Sequence, residues 1–177
     1  HDAVVDCYLM INLLRIIKEK IPEVWNSAVL ASSKDGCMEL LKSAPFCMQG
    51  ELYGGQSFAY PVVPCGQNPN NKNEVILADL YFDPKELFEM KDSELKGQFG
   101  RSGAFKKIAI NKTIPLINAN KVPELSKFLD EPEKILTERA EMIKDNFEFQ
   151  ERISLILGEN ITNWPDQEIV EQRIYDG

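Results

Sequence analysis

Apolar side chains recur at helical spacing from the start of the chain. Over 2–20 the row Asp6, Met10, Leu13, Ile17 is apolar except for its first member. Neighbouring rows add Val5, Leu9, Leu14 and Ile16, and only the strip Tyr8, Asn12, Arg15, Glu19 is plainly polar. Asp2 is placed to accept the orphan amides of a first turn, and Pro22 marks the stop. A helix that is apolar around most of its girth suits a large core. Its packing partners are therefore expected upstream, in a longer protein cut inside at His1. Two shorter helical patterns follow at 23–30 and 35–42, separated by Ser32-Ser33-Lys34.

From Pro45 the period changes. Segments 46–53, 58–65 and 74–81 read as strands, separated by Gly54-Gly55 and by the run from Gly66 to Asn73. Asp83-Pro84 opens a short helix to Met90, and 92–99 predicts another. The stretch 97–103 is a glycine-rich loop, 106–111 and 113–117 a further strand or strand pair. Helical spacing returns at 123–129, 132–144 and 147–157, while 163–177 gives no clear pattern. Strands in the middle with helices on both flanks predict an α+β fold, a small β-barrel or open sheet with helical additions.

The 177 residues bound the chain to one domain of ordinary size, or one domain plus part of another. With 44% hydrophobic and 27% charged residues, bulk disorder is excluded. No charge-free apolar run is long enough to span a bilayer, and no signal-peptide pattern opens the chain. Four cysteines (Cys7, Cys37, Cys47, Cys65) lack any Cys-x-x-Cys spacing, and with one histidine a structural zinc site is not expected. Cys7 lies in the apolar helix and reads as a buried thiol, which favours a reducing compartment and a cytoplasmic location.

The net charge of −8 argues against nucleic acid, but its distribution argues otherwise. Within 96–123 there are six cations (Lys96, Arg101, Lys106, Lys107, Lys112, Lys121) and no acid. A local positive segment in an acidic chain steers a partner better than net charge does. A solvated basic loop and strand is the plainer alternative. Gly97-x-x-Gly100-x-x-Gly103 is not a phosphate loop, since no Gly-Lys-Ser/Thr follows. Glu131, Glu133, Glu138 and Glu141 read as a solvated helix face, and Trp25 and Trp164 as packing residues.

The only histidine opens the string His1-Asp2-Ala3-Val4-Val5-Asp6. Asp6 heads the apolar row, so its carboxylate is expected on the core side. An ionised carboxylate there is costly unless paired or bound to a cation. A metal shared with further carboxylates would resolve that cost, and a nearby imidazole could take a proton from a metal-bound water. A frayed terminal His and an ordinary first-turn carboxylate is the alternative.

His1-Asp2-Ala3-x-x-Asp6 before an apolar helix resembles the last motif of the DEDDh class of 3′→5′ exonucleases. Asn68-Pro69-Asn70-Asn71-Lys72-Asn73-Glu74-Val75-Ile76-Leu77-Ala78-Asp79-Leu80 resembles the middle of the bacterial exodeoxyribonuclease I family. So do Ile110-Asn111-Lys112 with Leu116-Ile117-Asn118-Ala119-Asn120, and the closing Glu171-Gln172-Arg173-Ile174-Tyr175-Asp176-Gly177. The matches fall in order over nearly the whole chain; 27–60 matches poorly, and 97–105 has no clear counterpart.

The resemblance implies that 1–22 is the last helix of an RNase H-like exonuclease domain and 23–177 an SH3-like barrel with helical embellishments. It implies a single-strand-specific 3′→5′ exodeoxyribonuclease releasing 5′-mononucleotides, with His1 as general base and Asp6 as a ligand of one of two Mg²⁺ ions. The 177-residue portion is itself expected to be inactive. Single-stranded DNA would be tracked by Lys112 and Asn111, with Lys106, Lys107 and Arg101 in support, and Tyr60, Phe99 or Phe105 available for base stacking. Lys144 and Asn118 fall where the family recruits the acidic, Phe-ended tail of single-stranded DNA-binding protein; Ser27 stands there in place of an aromatic. Two alternatives stay open: a non-enzymatic SH3-like module that binds an acidic peptide, and another nuclease of the class with an unrelated appended domain.

Overall fold

A computed structural model describes residues 3–100 and 102–159. His1, Asp2, Arg101, Trp164 and the 171–177 motif lie outside the described residues. The chain opens with three helices, α1 (Ala3–Lys20), α2 (Pro22–Leu30) and α3 (Lys34–Lys42). Ser33 caps α3, its hydroxyl accepting from the Gly36 amide at 3.1 Å. Three strands follow: β1 (Cys47–Tyr53), β2 (Gln56–Gln67) and β3 (Glu74–Asp79). Then come α4 (Pro84–Glu89), α5 (Asp92–Gly97), β4 (Phe105–Ala109), β5 (Leu116–Asn118), α6 (Glu133–Asp145) and α7 (Phe147–Glu159). The strands make one antiparallel sheet in the order β4-β3-β2-β1-β5. The architecture is the expected α+β arrangement. At 123–129 the predicted helix shrinks to a 3-10 turn at Leu125–Phe128, with Glu124 in the left-handed region at φ 51°, and the strands found near 106–111 and 113–117 do not pair with each other but stand at opposite edges of the sheet.

Gly54 and Gly55, at φ 57° and 78°, supply the two positive dihedrals of a two-residue hairpin turn. The β1–β2 hairpin is therefore longer than its hydrophobic pattern shows, with β2 running 12 residues. A bulge between Pro64 and Gly66 re-aims β2. At Gly66 a Cβ would meet Ser154 Oγ at 2.6 Å, so glycine is what allows α7 to lie directly on the strand. The β2–β3 turn is held by its own asparagines. Asn68 accepts from the Asn70 amide at 2.9 Å and Asn71 from the Asn73 amide at 3.1 Å. It also reaches both helical layers: Asn70 Nδ2 donates to the Gly158 carbonyl and Lys34 Nζ to Asn73 Oδ1, each at 3.1 Å.

Side-chain alternation sends one set of strand residues to each face. Val63, Cys65, Ile76, Ala78 and Phe105 pack under Leu136, Ala140 and Ile143 of α6 and Phe149 and Ile153 of α7. On the opposite face Val62, Val75, Leu77 and Ile108 meet Cys37, Leu40 and Leu41 of α3. Among the described elements α1 lies mainly along α2, and none of its residues is buried. The expectation of a core-facing Asp6 and a buried Cys7 is corrected accordingly: both are exposed. All four cysteines are free thiols. No helix among the described residues is long and apolar enough to cross a membrane.

Candidate nucleic-acid interface

The five described cations of 96–123 do not form one strip. Lys96 pairs with Glu159 at 2.8 Å and Lys121 with Glu23 at 3.7 Å, far apart in the fold. On β4 successive side chains alternate, so Lys107 is exposed and Lys106 turns inward. Asn111 and Lys112 sit exposed in the turn after β4, which the Lys112 amide closes onto the Ala109 carbonyl at 3.0 Å. Folding thus divides a linear charge run among several surfaces. Arg101 lies outside the described residues.

Lys106 is the unusual member. Its side chain is 9% exposed and its ammonium stands 3.5 Å from Asp79 Oδ2, itself 4% exposed. The same ammonium lies 3.9 Å from the centroid of the Tyr60 ring, a cation–π geometry. Asp79 Oδ1 accepts from the Tyr81 amide at 3.1 Å. Burial holds the Asp79 carboxyl above the ordinary aspartate range, against the pull of the Tyr81 amide and of Lys106. Tyr60, Asp79 and Lys106, with Tyr81, Phe82, Ser102 and Gly103, line an open pocket of about 360 Å³. Next along β2, Phe58 stacks on Tyr60 with ring centroids 6.4 Å apart and planes 9° apart.

The other proposed stacking rings divide. Phe105 is 1% exposed and packs on Phe149 and Phe99 in the core, so it is withdrawn from any ligand. Phe99 is half-buried against it. Asp79 and Phe58 were not singled out from sequence. Phe58-x-Tyr60 on a strand was the available signal, since alternation puts both rings on one face.

Asn118 and Lys144 come together around 43–47. Asn118 Nδ2 donates to Ser43 Oγ at 2.8 Å. The Cys47 thiol shares its proton between the Leu40 carbonyl and Asn118 Oδ1, each 3.3 Å away. Burial pushes that thiol up to about 12. Lys144 Nζ donates to the Ala44 carbonyl at 2.8 Å, and partial burial lowers its pKa. Ser27 lines a separate apolar cavity of about 460 Å³ with Met48, Gly50, Ala59, Pro115 and Phe128. Asp6 stands apart from all of these on α1. Among the described residues no three His, Cys, Asp or Glu come together to hold a metal ion.

A sequence model of the family described as Exonuclease I SH3-like domain matches residues 33–160. The chain belongs to that family. This Exonuclease I SH3-like chain is 25% identical over 191 residues to exodeoxyribonuclease I of Escherichia coli (strain K12), covering all of itself and 40% of the relative. It is 24% identical over 193 residues to that of Haemophilus influenzae, again over its whole length and 41% of the relative. The chain therefore spans about two fifths of the length of these curated relatives. The structure of E. coli exonuclease I in complex with a dT13 oligonucleotide superposes with a TM-score of 0.69 at 21% identity, covering 100% of this chain and 40% of that one. A moderately thermophilic exonuclease I from Methylocaldum szegediense gives 0.67 at 19% identity, covering 83% and 35%. At these identities the structural likeness establishes the shared fold.

Proposed function

We propose that this chain is the portion of a single-strand-specific 3′→5′ exodeoxyribonuclease that carries the single-stranded DNA groove. The match of 33–160 to the Exonuclease I SH3-like domain carries this reading. Its likeness to an exonuclease I crystallised with dT13 supports it. Residues 1–22 would be the last helix of the nuclease domain and 23–177 the DNA-binding domain. The described residues do not by themselves build a site for two Mg²⁺ ions. Asp6 would be one ligand of a set completed elsewhere in the parent enzyme, where the ions would polarise the scissile phosphate. His1 would act as the general base that takes a proton from the attacking water.

Lys112, Asn111 and Lys107, exposed on the β4 edge and its turn, would contact phosphates, and Arg101 would support them. Lys106 and Tyr60 would contribute through the buried pair and the ring described above. Lys144 and Asn118 flank one segment, 43–47, which supports reading that edge as the seat of the acidic tail of single-stranded DNA-binding protein. The test is a salt titration of oligo-dT binding. Affinity that falls steeply with salt supports the groove; binding of an acidic peptide alone would favour a non-enzymatic interaction module. In the parent enzyme His1→Ala should lower the hydrolysis rate by about 10²–10⁴-fold. A near-normal rate would remove His1 from the base role. The 177-residue chain alone should hydrolyse no DNA, and measurable release of mononucleotides by it would contradict that assignment.

A further inference from the structure

The outer surface of α6 and α7 belongs neither to the groove nor to the segment 43–47. At its centre stands Phe147, 77% exposed, the most exposed large apolar side chain among the described residues. It opens α7, one position beyond the corner residue Asn146. Met142, Asp145, Asn146, Phe147 and Glu148 line an open concavity of about 580 Å³ at that corner. The corner is tied in place from both sides. The Asn146 amide donates to the Ile143 carbonyl at 3.3 Å, and Asn146 Oδ1 accepts from the Phe149 amide at 3.0 Å. Gln150 Nε2 donates to the Ile143 and Lys144 carbonyls at 2.9 and 3.0 Å, so a side chain of α7 satisfies the orphan carbonyls that end α6. Phe147 is therefore presented from a fixed base.

The charges around it are of one sign. Glu138, Glu141, Asp145, Glu148 and Glu151 are all exposed. Most cations of the two helices turn elsewhere. Lys144 Nζ donates to the Ala44 carbonyl, Arg139 is held by the Leu80 carbonyl and Glu131, and Arg152 pairs with Asp92. Lys134 alone answers an outward acid, Glu138, at 3.8 Å and at the far end of α6. Glu141 and Asp145 are like charges four positions apart on one helix. Asp145 also closes α6, where the helix dipole is already negative. Both arrangements are unfavourable in the free chain, and a cation held there relieves both.

We infer that the α6–α7 corner docks a basic segment of a partner protein, one in which Lys or Arg residues flank an apolar side chain. The apolar group packs on Phe147 and Met142, and the cations face Asp145, Glu148 and their neighbours Glu141 and Glu151. This goes beyond the nuclease reading and does not rest on it. An exposed aromatic beside a rigid concavity supplies the anchor that a docking surface needs. Charge complementarity decides the occupant, since five carboxylates favour a basic segment and repel both nucleic acid and an acidic peptide.

The experiment measures fluorescence anisotropy of a fluorescein-labelled peptide in which lysines flank leucines, and of an analogue with serine for leucine, against the 177-residue chain across a salt series. Phe147→Ser changes an exposed position, and thermal melting checks its fold. It should weaken the leucine peptide by roughly tenfold to a hundredfold and leave the serine analogue unaffected. The double variant Asp145→Asn/Glu148→Gln should weaken both peptides and flatten their salt dependence. Asp145→Asn alone should raise the melting temperature, because it removes the repulsion at the end of α6. Asp35→Asn, an exposed acid on α3 across the sheet, should change neither affinity. Equal affinity of the leucine peptide for Phe147→Ser and the unmodified chain would overturn the proposal. An effect of Asp35→Asn as large as that of the double variant would also overturn it, marking attraction by net charge alone. Self-association of the chain that Phe147→Ser abolishes, seen by sedimentation, would assign the face to a second copy and overturn the basic partner. The parent enzyme should bind the leucine peptide as the chain does; failure there would show another part of the enzyme seated on this corner and would overturn the proposal as well.

Discussion

The pair formed by Lys106 and Asp79 gives the sharpest stability test. Removing one member of a buried ion pair costs about 3–5 kcal/mol, because the other charge is left without a partner. Here Asp79 keeps the Tyr81 amide at 3.1 Å, and the pair itself is loose at 3.5 Å. The lower end applies, about 3 kcal/mol for Lys106→Met, or a fall of roughly 1–2 M in the urea midpoint. The loss should depend on pH in a definite direction. Burial raises the Asp79 carboxyl above the ordinary 3.8, and loss of Lys106 raises it further. A group raised in the folded state contributes stability below its unfolded pKa and loses it as pH rises through the folded value. The penalty of Lys106→Met should therefore be small near pH 3.5 and grow toward a plateau by neutrality. The double variant Asp79→Leu/Lys106→Met removes both charges and should recover most of the loss at pH 7. Urea unfolding of the four proteins of this cycle, followed by tryptophan fluorescence from pH 3.5 to 7.5, is the assay. A penalty that is flat across this range would show that only packing was lost and would refute the electrostatic account.

Other outcomes follow from the packing. Gly66→Ala should destabilise by about 2–3 kcal/mol, since φ is 154° and the added methyl meets Ser154 Oγ at 2.6 Å and the Gln150 carbonyl at 3.0 Å; a melting temperature equal to wild type would contradict the close strand–helix approach. Asn118→Leu leaves Ser43 and the Cys47 thiol without their shared partner and should cost about 1–3 kcal/mol by chemical denaturation. With native protein at pH 8, a chromogenic disulfide reagent should titrate Cys7 rapidly and the other thiols only on unfolding. Cys37 is buried, and burial holds both Cys47 and Cys65 up to about 12. Two or more fast thiols in the native state would contradict the described burial.

The order of elements was legible because period and punctuation agree locally. Asp83-Pro84 announces α4, and the Asp83 carboxylate does accept from the Lys85 amide at 2.9 Å. Gly54-Gly55 announces the hairpin, and Val75 to Asp79 an interior strand of the sheet. What was not legible is relational. The cations of 96–123 are neighbours in sequence, yet strand alternation and long-range partners such as Glu159 and Asp79 separate the five described ones in space. Phe105 looks like a stacking ring until Phe149, 44 positions later, is found against it. Asn118 could be singled out by its place in a motif, but its bonds run to Ser43 and Cys47, more than 70 residues away. Helical spacing in α1 showed an apolar face without showing what would cover it.

The turn at 68–73 has a structural reach unlike that of most hairpin ends. One asparagine is tied to the close of the last described helix and another receives the side chain that opens α3, so a single six-residue loop rivets the upper and lower decks of the domain. Insertions are usually best tolerated at such tips. Here one added residue would shift both fastenings out of register at once, and homologous chains that keep both fastenings should keep this loop at constant length while the glycine tip at 54–55 varies freely.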